Sequence, residues 1–429
     1  MTFLCRKDAG EKMSKKTKAF LSVIVLAVLC CGIAVSGQAS GLFDFFGSKN
    51  DGETVTISKT EYEQLKKFEK LNTVLQYIEQ YYYQEPDEDA MIEMATRGLL
   101  AGLEDVYTFY YSPEEWKEMW ADDDGEYAGI GIQLLGNYQD NTVFITRVFK
   151  NTPAEKAGLL RGDELIRVED IAVDATTMQN AVNVMRGEEN APVEVEVRRG
   201  EESLVFSIPR AMIHVNRVEY TLLKNNVGYI ALYEFAGDCA QAFENAMKEL
   251  TDQGAEALVV DLRDNSGGWV DDAKNIGDLF LDRQLMFYSE DRYGNREENW
   301  TKDGKTDLPL VMLINEYSAS SSEILAGSLQ DAGRATLVGT TSYGKGIMQY
   351  VLPLEDTGSG EDGFQFTVAQ YYMPSGKVVH KVGIEPDVKV EMPEGMQSTY
   401  FQVGDLSDPQ LAAAWKEALK MIPAEAAGR

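Results

Sequence analysis

L308-P-L-V-M-L-I314, running on into N315-E-Y-S-A-S-S-S-E-I-L-A-G-S328, is the stretch on which the reading of the fold turns. A short apolar run bounded by polar turn residues reads as a buried strand, and Ser320 to Gln330 behind it reads as a helix. Working outward, Gly228 to Phe235 and Glu256 to Leu262 read as strands flanking a helix at Cys239 to Gln253. Strand and helix in alternation imply an α/β core, a mixed sheet with crossover helices. One more amphipathic helix, Asp408 to Ile422, closes the chain.

On the N-terminal side the period changes. Ile130 to Leu134, Val143 to Val148, Asp163 to Val168, Val193 to Arg198 and Ser203 to Ile208 alternate as strands, with short helices at Pro153 to Leu159 and Thr177 to Met185. This is the pattern of a small, independent β-rich module. Before it, Tyr62, Leu65, Phe68, Leu71, Leu75 and Ile78 recur at helical spacing, and Met91 to Leu103 gives a second helix. These helices read either as a cap on the next domain or as a dimerisation arm, which would make the chain a homo-oligomer. Residues 37–58 read as a polar tether.

The 429 residues carry 40 basic and 70 acidic side chains, a net charge of −30. Such a field repels phosphate backbones, so nucleic acid is excluded as a partner. Residues 1–18 run against this trend, with Arg6, Lys7, Lys12, Lys15, Lys16 and Lys18 preceding an uncharged run from Ala19 to Val35. The asymmetry predicts a cytoplasmic N-terminus, a membrane-associated segment at 19–36 and export of everything after it. The segment is either a retained anchor or a signal removed after Gly37-Gln38-Ala39. Cys239 is the only cysteine beyond it, so no disulfide framework is expected. His214 and His380 are the only histidines and lack metal-ligand spacing, so neither a metal nor another cofactor is expected.

Three segments of the α/β part carry chemistry. In D261-L-R-D-N-S-G-G-W269 a strand ends in a glycine turn able to face amides at a ligand. The second is the serine run Ser318, Ser320, Ser321 and Ser322, which by itself more often marks a simple helix-cap cluster. The third, G339-T-T-S-Y-G-K-G346, nearly spells a phosphate-binding loop. Gly346 replaces its hydroxyl residue, however, and Ile347 to Leu352 reads as a strand where that loop needs a helix. A lysine between glycines at a strand end can instead be buried as a neutral base.

G129-I-G-I132, N151-T-P-A-E-K-A-G-L-L-R-G-D-E-L-I166 and M185-R-G187 resemble a PDZ domain of the bacterial protease type. Together with the three segments above and G383-I-E-P-D387, they resemble the carboxyl-terminal processing peptidases, serine peptidases with a Ser/Lys dyad. The resemblance implies an α/β protease core over 211–392, a β-rich PDZ domain over 120–210 and an N-terminal helical region over 59–119, followed by a C-terminal segment over 393–429. It implies Ser320 as nucleophile, Lys345 as general base and Gln349 orienting the lysine. The amides of Gly268 and Ser321 would form the oxyanion hole, and Gly129, Ile130, Gly131 and Ile132 would receive a peptide carboxylate by β-augmentation. Arg186 is the expected contact that reports peptide binding to the core. Ser321 stands where the family usually has alanine, which leaves open which serine attacks. The expected partners are polypeptides with free C-termini, and the competing reading is a catalytically silent PDZ adaptor.

Overall fold

In a computed structural model of the chain the described residues are 56–137, 141–354 and 362–422, without 395, 397, 399 and 400. The basic segment, the apolar run at 19–36 and nearly all of the tether lie outside them. Among the described residues no helix is long and apolar enough to cross a membrane. The described residues form two compact units, 56–96 and those from Arg97 onward.

The smaller unit contains α1 (Lys59–Lys66), α2 (Glu69–Tyr81) and the start of α3 (Glu88–Ala101). Ser58 opens α1 with a reciprocal cap: its amide donates to Glu61 Oε2 at 2.7 Å and its hydroxyl accepts the Glu61 amide at 3.2 Å. The apolar periodicity that reads as one helix is broken near Lys67 and Phe68. None of these three helices buries a residue.

The larger unit begins with β1 (Phe109–Tyr111) and α4 (Pro113–Asp124). A ribbon of β2 (Glu126–Gly129) then leads into the module, which comprises β3 (Ile132–Asn137), β4 (Thr142–Val148), α5 (Pro153–Ala157), β5 (Glu164–Val168), β6 (Ile171–Ala172), α6 (Met178–Met185), β7 (Pro192–Arg199) and β8 (Glu202–Pro209). The chain leaves through β9 (Ala211–His214), antiparallel to β2. Strand order β3-β4-β5-β7-β8 curls around Val143, Ile145, Leu165, Val193, Val195, Val197 and Ile208, the inward half of each alternating strand.

The core sheet follows, from β10 (Val218–Leu223), β11 (Val227–Leu232), α7 (Cys239–Asp252), β12 (Ala257–Asp261) and α8 (Val270–Asp278). Next come β13 (Leu285–Asp291), β14 (Arg296–Trp300), β15 (Leu310–Ile314), α9 (Ser321–Asp331) and β16 (Ala335–Gly339). The last elements are β17 (Ile347–Pro353), β18 (Gly363–Tyr372), β19 (Val388–Lys389) and α10 (Pro409–Met421). The order is β10-β11-β12-β15-β16-β19, parallel except at β10. Every residue of β11, β12 and β15 is buried because both faces are covered. Ile230, Leu258, Met312 and Ile314 face Phe243 of α7, Ile276 of α8 and Leu325 of α9. Tyr229, Val259, Val311 and Leu313 face Leu411, Ala414 and Ala418 of α10. These strands and helices agree with the α/β core read from the sequence.

A second, antiparallel sheet is not foreshadowed there. β18 carries β17 along one side and β1 and β13 along the other, with β14 outside β13. It places Gln349 of β17 opposite Thr367 of β18.

Candidate active site

Ser320 stands where β15 has ended and α9 begins. Its backbone has φ 73° and ψ −126°, a conformation that a non-glycine residue keeps only where its surroundings enforce it. The enforcement comes from both sides of the peptide. The Ser320 amide donates to Glu323 Oε2 at 2.8 Å, and its carbonyl accepts the Ile324 amide at 2.8 Å.

The hydroxyls of the serine run fall into two groups. Ser318 donates to the Leu262 carbonyl at 2.8 Å, Ser322 to Asn265 at 2.8 Å and Ser321 to Gly268 at 2.9 Å. Three serines are thus laced to the glycine turn that follows β12. Ser320 Oγ is buried and has no hydrogen-bond partner among the described residues. That difference singles out Ser320 from neighbours that the sequence alone does not separate. Because Ser321 spends its hydroxyl on holding the Gly268 peptide, Ser321→Ala should keep the main-chain donor but loosen the turn. A loss of roughly threefold to tenfold in kcat with KM unchanged is expected in steady-state peptide hydrolysis, the size of one neutral hydrogen bond.

Gly267 lies against the Ser320 hydroxyl: a Cβ there would fall 2.3 Å from Oγ, and φ is +103°. Gly267→Ala should therefore displace the serine side chain and lower kcat roughly a hundredfold, the cost of about an ångström of misplacement. Turnover of a peptide substrate by the folded variant checks this.

Lys345 sits in the connection from β16 to β17. The backbone of His380 passes so close that a Cβ at Gly346 would meet the His380 nitrogen at 2.3 Å, so only glycine follows the lysine. With 3% of its surface exposed, Lys345 is driven by burial from its ordinary pKa down to about 7, against the opposing pull of Asp105 and Glu323. Its Nζ lies 4.3 Å from the centre of the Tyr107 ring. Gln349, fully buried four residues later in β17, donates from Nε2 to Thr367 Oγ1 at 3.0 Å.

Two residues absent from the sequence reading tie these segments together. Glu323, 1% exposed, collects four donors. Its Oε2 accepts the amides of Ser320 and Lys345, both at 2.8 Å, and its Oε1 accepts Ser342 Oγ at 2.6 Å and the Gly344 amide at 2.7 Å. One oxygen shared by both amides puts the serine and lysine backbones within two hydrogen-bond lengths of each other. Burial raises the Glu323 pKa although these donors oppose it. Tyr371 adds a second bridge, its hydroxyl lying 3.0 Å from the Lys345 carbonyl and 3.4 Å from that of Ser320.

The first turn of α9 leaves the Ser321 amide without an acceptor inside the helix, and the Gly268 peptide flanks it. The Phe235 carbonyl accepts the Trp269 amide at 2.7 Å, which fixes the turn. Gly267 and Gly268 line a cavity of about 780 Å³ together with Ile130, Gly131, Ile132 and Arg186 of the module. Gly129 is set back, packed against the Tyr127 ring. Arg186 ends α6 with its guanidinium 4.9 Å from the centre of that same ring. Lys345 lines a second cavity of about 350 Å³ with Tyr107, Tyr343 and Ala319. Ser266, Arg147 and Tyr233 border both cavities. Arg147 of β4 reaches Glu219 of β10 at 2.9 Å and joins the module to the core.

The chain is similar to known proteins. The model of peptidase family S41 matches residues 226–390, a PDZ domain model matches 144–199, and that of the N-terminal domain of the activating protease CtpB matches 36–115. The carboxy-terminal processing protease CtpA of Bacillus subtilis is 30% identical over 394 residues, 91% of this chain and 80% of that one. The carboxyl-terminal-processing protease of Synechocystis is 34% identical over 328 residues, 75% of each chain. Among solved structures, the photosystem II D1 C-terminal processing protease aligns with a TM-score of 0.54 and 26% identity, covering 83% of this chain and all of that one. A serine-type peptidase with a PDZ domain is the class that fold and similarity define together. The chain belongs to peptidase family S41, among the carboxy-terminal processing proteases.

Proposed function

We propose that the protein is an exported endopeptidase that takes substrate C-termini in its PDZ domain and cleaves peptide bonds with a Ser320/Lys345 dyad. The observation that carries this reading is the uncommitted Ser320 hydroxyl, held by Glu323 to the segment that bears a buried, readily deprotonated lysine. Ser320 Oγ attacks the scissile carbonyl carbon while the neutral Lys345 amine takes its proton. The amides of Gly268 and Ser321 receive the charge that develops on the carbonyl oxygen. The ammonium of Lys345 then protonates the departing amine, and water, deprotonated by the same lysine, releases the acyl group. Gln349 orients the lysine.

The shared cavity supports delivery from the PDZ domain. A chain end added beside β3 at Ile130, Gly131 and Ile132 enters the space that Gly267 and Gly268 also line, and Gly129 shapes the turn behind them. Arg186, on the wall of that space, is the residue we assign to sensing its occupancy. Membrane attachment through 19–36, or secretion after cleavage, completes the reading; that segment lies outside the described residues.

A serine-directed phosphonate followed by peptide mapping tests the assignment. Modification is expected at Ser320. Modification of Ser318, Ser321 or Ser322 in its place, or of none with peptide present, would overturn it. The lysine must be neutral to accept a proton, so hydrolysis of a peptide with an apolar C-terminus should rise with pH through about 7.

A further inference from the structure

The base is walled by a segment far from it in sequence. Asp105, Tyr107 and Thr108 lie between α3 and β1, inside the larger unit. Asp105 Oδ1 accepts the Tyr107 amide at 3.0 Å. Its Oδ2 accepts Thr108 Oγ1 at 2.7 Å and Thr367 Oγ1 at 2.6 Å. The same Thr367 hydroxyl accepts Gln349 Nε2 at 3.0 Å, and the Thr367 amide donates to Thr108 Oγ1 at 3.1 Å. Pairing of β1 with β18 and a 2.8 Å bond from Gln365 Nε2 to the Tyr107 carbonyl hold the segment in place. A hydroxyl with one proton cannot serve two acceptors, so a chain running Gln349 to Thr367 to Asp105 has a fixed direction. It leaves the Gln349 amide plane with one orientation.

We propose that Asp105 is a positioning residue for the base: through Thr367 it fixes Gln349, and its charge acts with the Tyr107 ring face to hold the Lys345 amine in place. The proposal rests on Lys345 being the base. Four charged or titratable groups besides Asp105 surround this space. Glu323 comes from α9, Tyr343 from the loop that carries Lys345, Tyr107 from the Asp105 segment itself, and His380 from the loop after β18. Burial and the Tyr343 hydrogen bond push Tyr107 up to about 12, so it stays neutral. Burial would raise the Asp105 carboxyl, but the hydrogen bonds from Thr367, Thr108 and Tyr107 keep it below its ordinary value. It is therefore ionised throughout the range in which Lys345 titrates.

The test is the pH profile of kcat on the full chain with a peptide substrate, for four proteins. Wild type is expected to rise through about 7. Asp105→Asn removes a negative charge that favours the ammonium, so its limb should move to lower pH by roughly half a unit to one unit, with the plateau lowered roughly tenfold. Thr367→Val keeps that charge and breaks the chain, so it should lose roughly tenfold at the plateau with the limb in place, and Thr367→Ser should restore the rate. A folded Asp105→Asn enzyme with the wild-type limb overturns the proposal, as does a fully active Thr367→Val enzyme. If Asp105→Asn does not fold, the Thr367 pair decides. A wild type without a limb near 7 counts instead against Lys345 as the base, and the proposal falls with it.

Discussion

Lys345→Ala is expected to lower kcat/KM by about a thousandfold or more, within the range that a positioned general base contributes. Lys345→Arg should do no better although its charge and length are similar, because a guanidinium stays protonated at every pH at which the enzyme is folded. The alanine variant should fold. The buried ammonium is costly, and replacing it by alanine removes a charge without orphaning Glu323, which keeps its four donors. Steady-state hydrolysis of a peptide with an apolar C-terminus, compared at pH 6 and 9, is the measurement. Lys345→Arg retaining a tenth of wild-type activity would remove the lysine from the mechanism.

Glu323→Ala should be nearly as damaging, for a different reason. Four buried donors, the amides of Ser320, Gly344 and Lys345 and the hydroxyl of Ser342, would lose the charged acceptor they share. An orphaned buried donor costs about 1–3 kcal/mol, and neighbouring losses add incompletely, so a fall of about 4 kcal/mol in unfolding free energy is expected. Activity should vanish even where the protein stays folded, since the acceptor that holds the positive-φ Ser320 backbone from the amide side is then gone. Denaturant titration read beside kcat separates the two effects. Glu323→Gln, with the same shape but one oxygen exchanged for a donor, should recover stability better than activity. A Glu323→Ala protein with wild-type midpoint and rate would show that the carboxylate brackets nothing.

Glu323 also shows where reading a sequence stops. The spacing Ser320-x-x-Glu323 is a helix-capping pattern, and it does cap, the Glu323 carboxylate accepting the Ser320 amide. Nothing local announces that the same carboxylate binds Ser342, Gly344 and Lys345 about twenty residues on, because that contact exists only once β16 lies beside β15. The strands of the core sheet were legible for the opposite reason: Val227–Leu232, Ala257–Asp261 and Leu310–Ile314 are buried on both faces and so are apolar but for Asp261 at the end of the second. The second sheet was not, since β14 reads Arg-Glu-Glu-Asn-Trp at an exposed edge and β1 has only three residues. Asp105 belongs to that hidden sheet's margin. Ser320, Lys345 and Gln349 became candidates through the family resemblance, whereas the groups bonded to their backbones and side chains come from tertiary pairing.

The antiparallel ribbon of β2 and β9 gives the chain a modular genetics. Glu126 pairs with His214 and Gly129 with Ala211, so the two crossings into the PDZ domain are hydrogen-bonded neighbours. A whole domain inserted between adjacent strands adds nothing to the path that the remaining chain must close, just as a longer hairpin loop adds little. Such a cassette can be exchanged at one pair of splice points where the replacement keeps the contacts that join it to the core, the Arg147–Glu219 pair among them. Grafting the PDZ domain of a relative between Glu126 and His214 is the laboratory form of that exchange.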